Sequence, residues 1–491
     1  RRVPPLCRGL DAPPTMNHNV LVRYLYTTVN GIAGGVAYYT VFPAYIYLLT
    51  HGSNTKVGFA EALQGSAQAL AAIPLGLLVD KKSVQRQTVL RLMGVLGLLC
   101  TVLYMFAVWQ EEYLLVCASL CVAGLWNASQ IPVDAIFADS VDTCRRSGIY
   151  NVDFVLGSSS GAIGPAIAVA AFYFYGNHWT LSECRFVLFV GCAFVGLASL
   201  LQFAFLESKT LGHESEALAS PVTPTSPAGA ASDPSEDGAP IALASNGCIH
   251  AGHVPWIVGI SDISIGLASG MTVKFFPLFF QNEVSLSPMA VNSLYIVCPL
   301  GIALVSIVLQ KTSKYIGRVQ ANLLAMSIGV TLLTLMGFLK EYWKRPEIIV
   351  PIYVVRTAVV NAPIGIQQSV LMDFVPKAQR GKWAAAASLS AFGWSGSAVV
   401  GGMLVDAYGY GFTFYITAAI QGLAASLWIL LLGVVPAEKR DEVSSAGVDP
   451  LSSSTVPLLQ GDDSEDEAWM AEGSPSPEPT PSDTLGPPTD V

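Results

Sequence analysis

The sequence predicts an all-α membrane protein, with twelve transmembrane helices arranged as two pseudo-symmetric six-helix bundles. Three observations predict it. Hydrophobic residues fill 52% of the 491 positions and charged residues only 12%, about half the charged share of an average soluble domain, and mean hydropathy is +0.51. Apolar runs of about 20 residues, the length that crosses a bilayer, recur along the chain. The two halves also repeat each other at one fixed offset. The same figures exclude a disordered chain, a collagen and an ordinary soluble enzyme.

In chain order, residues 1–18 read as a cytoplasmic N-terminal segment. The chain opens on Arg1 and the first Met is Met16, so residues 1–15 read as a possible gene-model extension; they hold no apolar core of signal-peptide type. Helices 1–6 are expected at roughly 19–48, 56–79, 88–109, 112–138, 149–174 and 184–206, forming a bundle over 19–206. Residues 207–253, rich in Ala, Ser, Pro and Thr, read as a disordered cytoplasmic linker. Helices 7–12 follow at roughly 254–280, 287–310, 319–339, 347–373, 384–407 and 412–435, a second bundle over 254–435. Residues 436–491 read as a disordered acidic tail. From 435 on, thirteen Asp or Glu face two Lys or Arg, so the net charge of −9 is carried by the tail.

Orientation follows from Lys and Arg in the loops. With the N-terminus inside, the inner segments collect Lys81, Lys82, Arg86, Arg91, Arg145, Arg146, Lys311, Lys314, Arg318, Lys377, Arg380, Lys382, Lys439 and Arg440. The outer loops collect Lys56, Arg185, Lys340, Lys344 and Arg345. Both termini are therefore expected in the cytoplasm of a multi-pass integral protein, with the plasma membrane as the default location and a monomer as the default state.

A shift of 234 residues brings Phe42–Pro43 onto Phe276–Pro277, Asn127–Ala128 onto Asn361–Ala362, and Asp139, Val141 and Arg146 onto Asp373, Val375 and Arg380. This reads as a duplicated six-helix unit, an architecture that secondary transporters use with their site at the interface of the repeats.

With these residues in view, positions 19–435 resemble the major facilitator superfamily. Helix 2 ends Gly76-Leu-Leu-Val-Asp80-Lys81-Lys82-Ser-Val-Gln-Arg86, similar to that family's loop motif Gly-x3-Asp-basic-x-Gly-basic-basic, with Ser83, Val84 and Gln85 departing from it. The resemblance implies a cytoplasmic latch between the halves. Asp80 would cap the inner N-terminal end of helix 11, where backbone N–H groups favour an anion. Asp139 would pair with a loop cation, and Arg146, Asp373 and Arg380 are its repeat counterparts and neighbours. Plain topology, a turn with positive charge inside, is the other reading.

Gly157-Ser-Ser-Ser-Gly161-Ala-Ile-Gly164-Pro165 in helix 5 resembles the Gly-Pro motif of the family's drug and metabolite:proton antiporters, one residue short in its glycine spacing. Tight helix packing explains the same residues equally well. Gly401–Gly402, Asp406, Gly409 and Phe414 also look like the family, and no sugar-porter signature is present.

The resemblance implies a central cavity lined by helices 1, 4, 7 and 10. In helix 4, Asn127, Gln130 and Asp134 share one face. Asp134 lies about 7.5 Å deeper than Asp139 at 1.5 Å per residue. A carboxylate there is costly unless paired or protonated. Asp134 is thus the leading proton carrier, with a fixed ion pair or a wetted position as alternatives. Arg356 lies near the middle of helix 10. It keeps its proton, so it would bind an anion or hold a carboxylate, and an Asp262–Arg356 pair is one arrangement. Gln367 is on roughly the face of Arg356, and Asn361 and Gln368 share another. Asn30, Tyr38 and Tyr39 in helix 1, Trp126 and Trp394 could meet an organic solute, although each is more often packing. Glu61 reads as a gate or, with slight preference, a wet outer residue, and Lys274 as a snorkelling one.

No Gly-x4-Gly-Lys-Ser/Thr loop is present, so no nucleotide is expected. The nine Cys are scattered and no His/Cys spacing suits a metal. No basic face for nucleic acid is visible. Gly157-x-Ser159-x-Gly161 lies in a span without a preceding strand, which denies it a hydrolase context. The expectation is a transporter, not an enzyme, without a cofactor and driven by a proton gradient. It would move a small organic solute by alternating access, as efflux or antiport. A uniporter or proton symporter remains open, as does a transporter-fold nutrient sensor signalling through its tails.

Overall fold

The computed structural model describes residues 16–79, 84–141, 146–211, 250–375 and 380–435, and the described residues hold helices and turns but no strand. Eleven helical stretches are long and apolar enough to cross a membrane. Helices 1–6 are His18–Leu49, Asn54–Val79, Arg86–Gln110, Tyr113–Asp139, Val152–Tyr175 and Leu181–Ala204. Helices 7–10 are Val254–Asn282, Pro288–Ile316, Arg318–Phe338 and Pro346–Leu371. The eleventh stretch, Gly393–Leu431, is two helices. They part at Gly409, whose φ of 82° and ψ of 171° are open to glycine almost alone. Helix 11 is thus 380–408 and helix 12 is 410–431, giving the twelve spans expected. The lipid-facing surface is apolar, with Leu70, Ile73, Phe174 and Phe338 among the most exposed side chains.

The face where helix 1 begins and helix 12 ends is called here the terminal face, and the opposite one the far face. Asn17 caps helix 1, its side chain accepting from the Asn19 backbone N–H. Residues 207–211, read from sequence as the start of a linker, are instead folded onto the first half. A single helical turn spans Glu207–Lys209, and the Leu211 N–H donates to the Asp139 carbonyl over 2.8 Å. The apolar Leu206 and Leu211 and the carbonyls at the end of helix 4 supply a docking surface that composition alone does not reveal. The expected disorder of 212–249 and 436–491 concerns residues outside those described.

Helices 1, 4, 7 and 10 are all broken. Helix 1 passes through a π-helical turn, Gly34–Tyr38, and restarts at Val41. Helix 4 ends its first segment at Asn127 and resumes at Gln130. Helix 7 stops at Val273 and restarts at Phe276. Helix 10 stops at Asn361 and restarts at Ile364. The 234-residue offset carries the break at 128–129 onto 362–363, so the repeat read in side chains is also a repeat of backbone geometry. Broken helices inside a membrane expose unpaired carbonyl and N–H groups, a cost tolerated where they border a cavity or packed protein.

The largest hydrophobic cluster draws on both halves and lies at the far face, with Phe42, Tyr45 and Phe172 from the first and Phe276, Phe279 and Phe414 from the second. The clusters nearer the terminal face belong to one half each. Among the described residues, every hydrogen bond and ion pair between the halves lies on the far side. The transporter-like duplex is therefore sealed at one face by aromatic packing, where burial of apolar area is worth about 25 cal/mol per Å².

Candidate functional site

Three polar locks of the far-side seal are built on the spans, beside two loop bonds across the halves, Trp179 to the Leu286 carbonyl at 2.8 Å and the Met289 N–H to Asn177 at 3.0 Å. Helix 2 begins at Asn54, and its first N–H groups have no helical partner of their own. Asp406, near the end of helix 11, supplies them. One carboxylate oxygen accepts from the Asn54 N–H at 3.0 Å and the Asn54 side-chain amide at 2.8 Å. The other accepts from the Thr55 N–H at 2.8 Å and the Thr55 hydroxyl at 2.7 Å. Tyr410 adds a 3.2 Å bond to Asn54. Gly402, one turn below, lets the helix 11 backbone lie against the Asn54 carbonyl, where a Cβ would clash.

The second lock is an ion pair across the halves. Lys274, at the break of helix 7, lies 2.8 Å from Glu61 of helix 2, and their side chains are only 13% and 6% exposed. The ammonium also sits 4.5 Å above the Trp394 ring of helix 11, within range of a cation–π attraction. The sequence reading of Glu61 as wet and Lys274 as snorkelling is corrected here: each removes the other's charge from water. The third lock is the Thr40 hydroxyl, at the break of helix 1, which donates to Asn292 Oδ1 of helix 8 at 2.6 Å.

Toward the terminal face, the first half holds a charge triad. Arg23 of helix 1 reaches Asp134 of helix 4 at 2.7 Å and Asp153 of helix 5 at 3.1 Å. Its Nε bonds both Asp153 oxygens, and Thr27 donates to Asp153 at 2.7 Å. Arg23 and Asp153 are nearly buried, at 14% and 13%, whereas Asp134 is 61% exposed. The triad has two carboxylates for one guanidinium. Its outer member, Asp134, meets water while the inner pair stays shielded. Arg23 and Asp153 were not singled out from sequence; the usable signal was a charge at matching depth in each of helices 1, 4 and 5.

Each half also closes its own terminal-face corner with an arginine and an aspartate. Arg86, opening helix 3, pairs with Asp139, and Arg318, opening helix 9, pairs with Asp373 at 2.6 Å. The loop cation expected for Asp139 is thus Arg86, within one half rather than across the halves. Asp80, Lys81 and Lys82 lie outside the described residues, as do the side chains of Arg146 and Arg380. Gly76 has open space around it.

The remaining candidates divide. Gln130 donates to the Tyr26 hydroxyl at 3.0 Å. Trp126 is 4% exposed and donates to Gln202 at 3.3 Å, so it packs the first half's core instead of lining a cavity. Tyr38 packs against Phe42 and Tyr104 in the far-side cluster, while Tyr39, at the break, is 47% exposed. Asn30 and Asn127 are half-buried, and Gln368 and Asp262 are exposed. Asn361 bonds the Thr357 carbonyl of its own helix. Gln367 turns inward to Asn322 at 2.8 Å. Arg356, 3% exposed, meets Gln421 and the Phe276 ring rather than Asp262. In helix 5, Gly164 and Pro165 press against Gly35 in the π-turn of helix 1 and Gly157 faces Thr27, while Gly161 has open space; this is the close-packing role.

A model of the Major Facilitator Superfamily matches residues 26–399. No curated protein matches the chain. A bacterial homolog of the human lysosomal transporter Spinster, solved inward-facing and unoccupied, is 14% identical; the match covers 86% of this chain and 98% of that one, with a TM-score of 0.60. An inward-facing bacterial homologue of the iron transporter ferroportin is 12% identical over 84% and 96% of the two chains, with a TM-score of 0.62. The human organic anion transporter TETRAN is 16% identical over 85% and 100%, with a TM-score of 0.53. At such identities the likeness is one of fold.

Proposed function

The chain belongs to the major facilitator superfamily, and from that premise we propose that it is a proton-coupled secondary transporter exporting a small organic solute by alternating access. The observation that carries the reading is the one-sided closure. Among the described residues, the hydrogen bonds and ion pairs between the halves all lie on the far side, and helices 1, 4, 7 and 10 are broken where the repeats face each other. The Lys and Arg bias supports a cytoplasmic terminal face, which makes this the inward-open state.

Helices 2 and 11 are the moving latch. Each ends in the same pattern, Gly76-Leu-Leu-Val-Asp80 and Gly402-Met-Leu-Val-Asp406. Asp406 caps helix 2 on the far side in this state. Asp80 would cap helix 11 on the terminal side in the other state. The two caps alternate because the antiparallel pair pivots about its middle.

Asp134 is the proposed proton carrier. Facing the terminal side and exposed, it takes a proton from solution when the Arg23 bond opens, leaving Arg23 neutralised by Asp153. Solute binding and protonation of Asp134 then oppose each other across the cavity between the repeats, which is the requirement for antiport.

The test is transport in proteoliposomes holding a pH-sensitive dye, with a panel of organic cations, anions and neutral solutes supplied under an imposed proton gradient. The expected result is solute-dependent proton movement, in the sense opposite to the solute. Solute flux that is indifferent to the gradient would leave a uniporter, and flux with the proton would leave a symporter.

A further inference from the structure

Arg356 stands apart from the other cations of the bundle. Arg23, Arg86, Lys274 and Arg318 each hold a carboxylate. Arg356 is the most buried of them at 3% exposure, yet among the described residues no ion pair reaches it. Its single side-chain hydrogen bond runs to the neutral Gln421 amide and is 3.4 Å long, at the outer limit of such a bond. Its Nε is buried with no partner, and so is the hydroxyl of the adjacent Thr357. Gln421 offers the guanidinium only its carbonyl oxygen, and its amide nitrogen, itself a donor, holds the side chain to Ser269 at 3.0 Å. A guanidinium cannot shed its proton to escape this burial, and a buried charge without a counter-charge is among the costliest features a fold can keep.

The position explains the retention. Arg356 lies one and a half turns before the break of helix 10 at Asn361. The Phe276 ring of the far-side cluster roofs it, 5.5 Å from the guanidinium carbon. Through Gln421 and Ser269 it connects to the face of helix 7 that carries Gly266 and the exposed Asp262. Among hydrogen bonds, an acceptor at the fork displaces only a long one to a neutral amide, once the Phe276 roof gives way.

We propose that Arg356 is the charge anchor of the solute site, and that the solute is a small organic anion bearing a carboxylate. The anion's oxygens take the open Nε–H and a terminal N–H, the planar geometry at which arginine exceeds lysine. This inference rests on the transport reading above and narrows it to a substrate class.

The test uses the purified full-length protein and its Arg356→Met and Arg356→Lys variants. Melting temperature is recorded against succinate, benzoate and p-aminohippurate, each beside its neutral amide. A ligand that binds only the folded state raises the melting point with concentration. The expected result is a shift with at least one anion and none with its amide. Arg356→Met abolishes that shift, and Arg356→Lys weakens it tenfold or more. Arg356→Met without ligand should melt higher than wild type, because it removes an uncompensated charge; a purely structural arginine predicts a lower melting point. The same variants enter the dye-filled vesicles. Neutral or cationic solutes that move protons equally well in wild type and Arg356→Met would overturn the anion assignment and leave the transport reading standing. Proton movement with no solute of any charge would bring down the transport reading itself.

Discussion

Glu61→Gln is expected to push the protein out of the far-closed state. The substitution leaves the Lys274 ammonium 13% exposed and without its carboxylate. Breaking one side of a buried ion pair costs about 3–5 kcal/mol. The pair joins helix 2 of one half to helix 7 of the other, so it exists only while the far face is shut. The cost therefore falls on one of the two conformations and shifts their ratio by roughly a hundredfold to a few thousandfold, at about 1.4 kcal/mol per factor of ten. The readout is the distance between spin labels at His51 and Tyr408, exposed far-side positions of the two halves. Glu61→Gln should lengthen it. Exchanging the charges, Glu61→Lys with Lys274→Glu, should restore the short distance because the pair is remade in reverse. A far-side distance that Glu61→Gln leaves unchanged would reduce the pair to packing.

Asp134→Asn is expected to abolish proton-driven transport, by tenfold or more, while leaving the fold intact. Asp134 is 61% exposed, and its partner Arg23 keeps Asp153. Losing an exposed carboxylate of this kind costs about 0–1 kcal/mol, so the melting temperature should hardly move. Asp153→Asn behaves differently. Asp153 is 13% exposed and accepts from Arg23 and Thr27. Its replacement leaves Arg23 only the exposed Asp134 and removes the buried acceptor of Thr27, and should cost about 1–3 kcal/mol of stability. The pair of variants separates coupling from structure. Full gradient-driven flux in Asp134→Asn would move the proton site elsewhere.

The architecture was legible because it rests on local chemistry. Apolar run length set the spans, loop lysines and arginines set the expected sidedness, and the matches at Asn127–Ala128 and Asn361–Ala362 mark the positions where helices 4 and 10 break. The helix 11 to helix 12 turn was visible in Gly409, whose backbone conformation few other residues adopt. The site was less legible because its bonds are tertiary. Glu61 and Lys274 were each read alone, as wet and as snorkelling, since helical periodicity says nothing about which helices meet across a pseudo-two-fold. Their shared depth below the same face was the clue. Trp126 and Gln367 were ambiguous for the reverse reason: a polar tip signals a cavity or a satisfied core, packing was the favoured reading of Trp126, and here Gln202 and Asn322 satisfy the two.

The most direct test of alternating access follows both faces at once. With Cys7, Cys144 and Cys248 replaced, leaving the native cysteines in the spans, spin labels go on His51 and Tyr408 at the far face. A second pair goes on Leu211 and Lys314 at the terminal face. Distances are measured in lipid across pH and with the solute that moves protons in vesicles. The account predicts a short far-side and a long terminal-side distance in the state described here, and a second population in which both change in opposite senses. A single population at both pairs under every condition would contradict it.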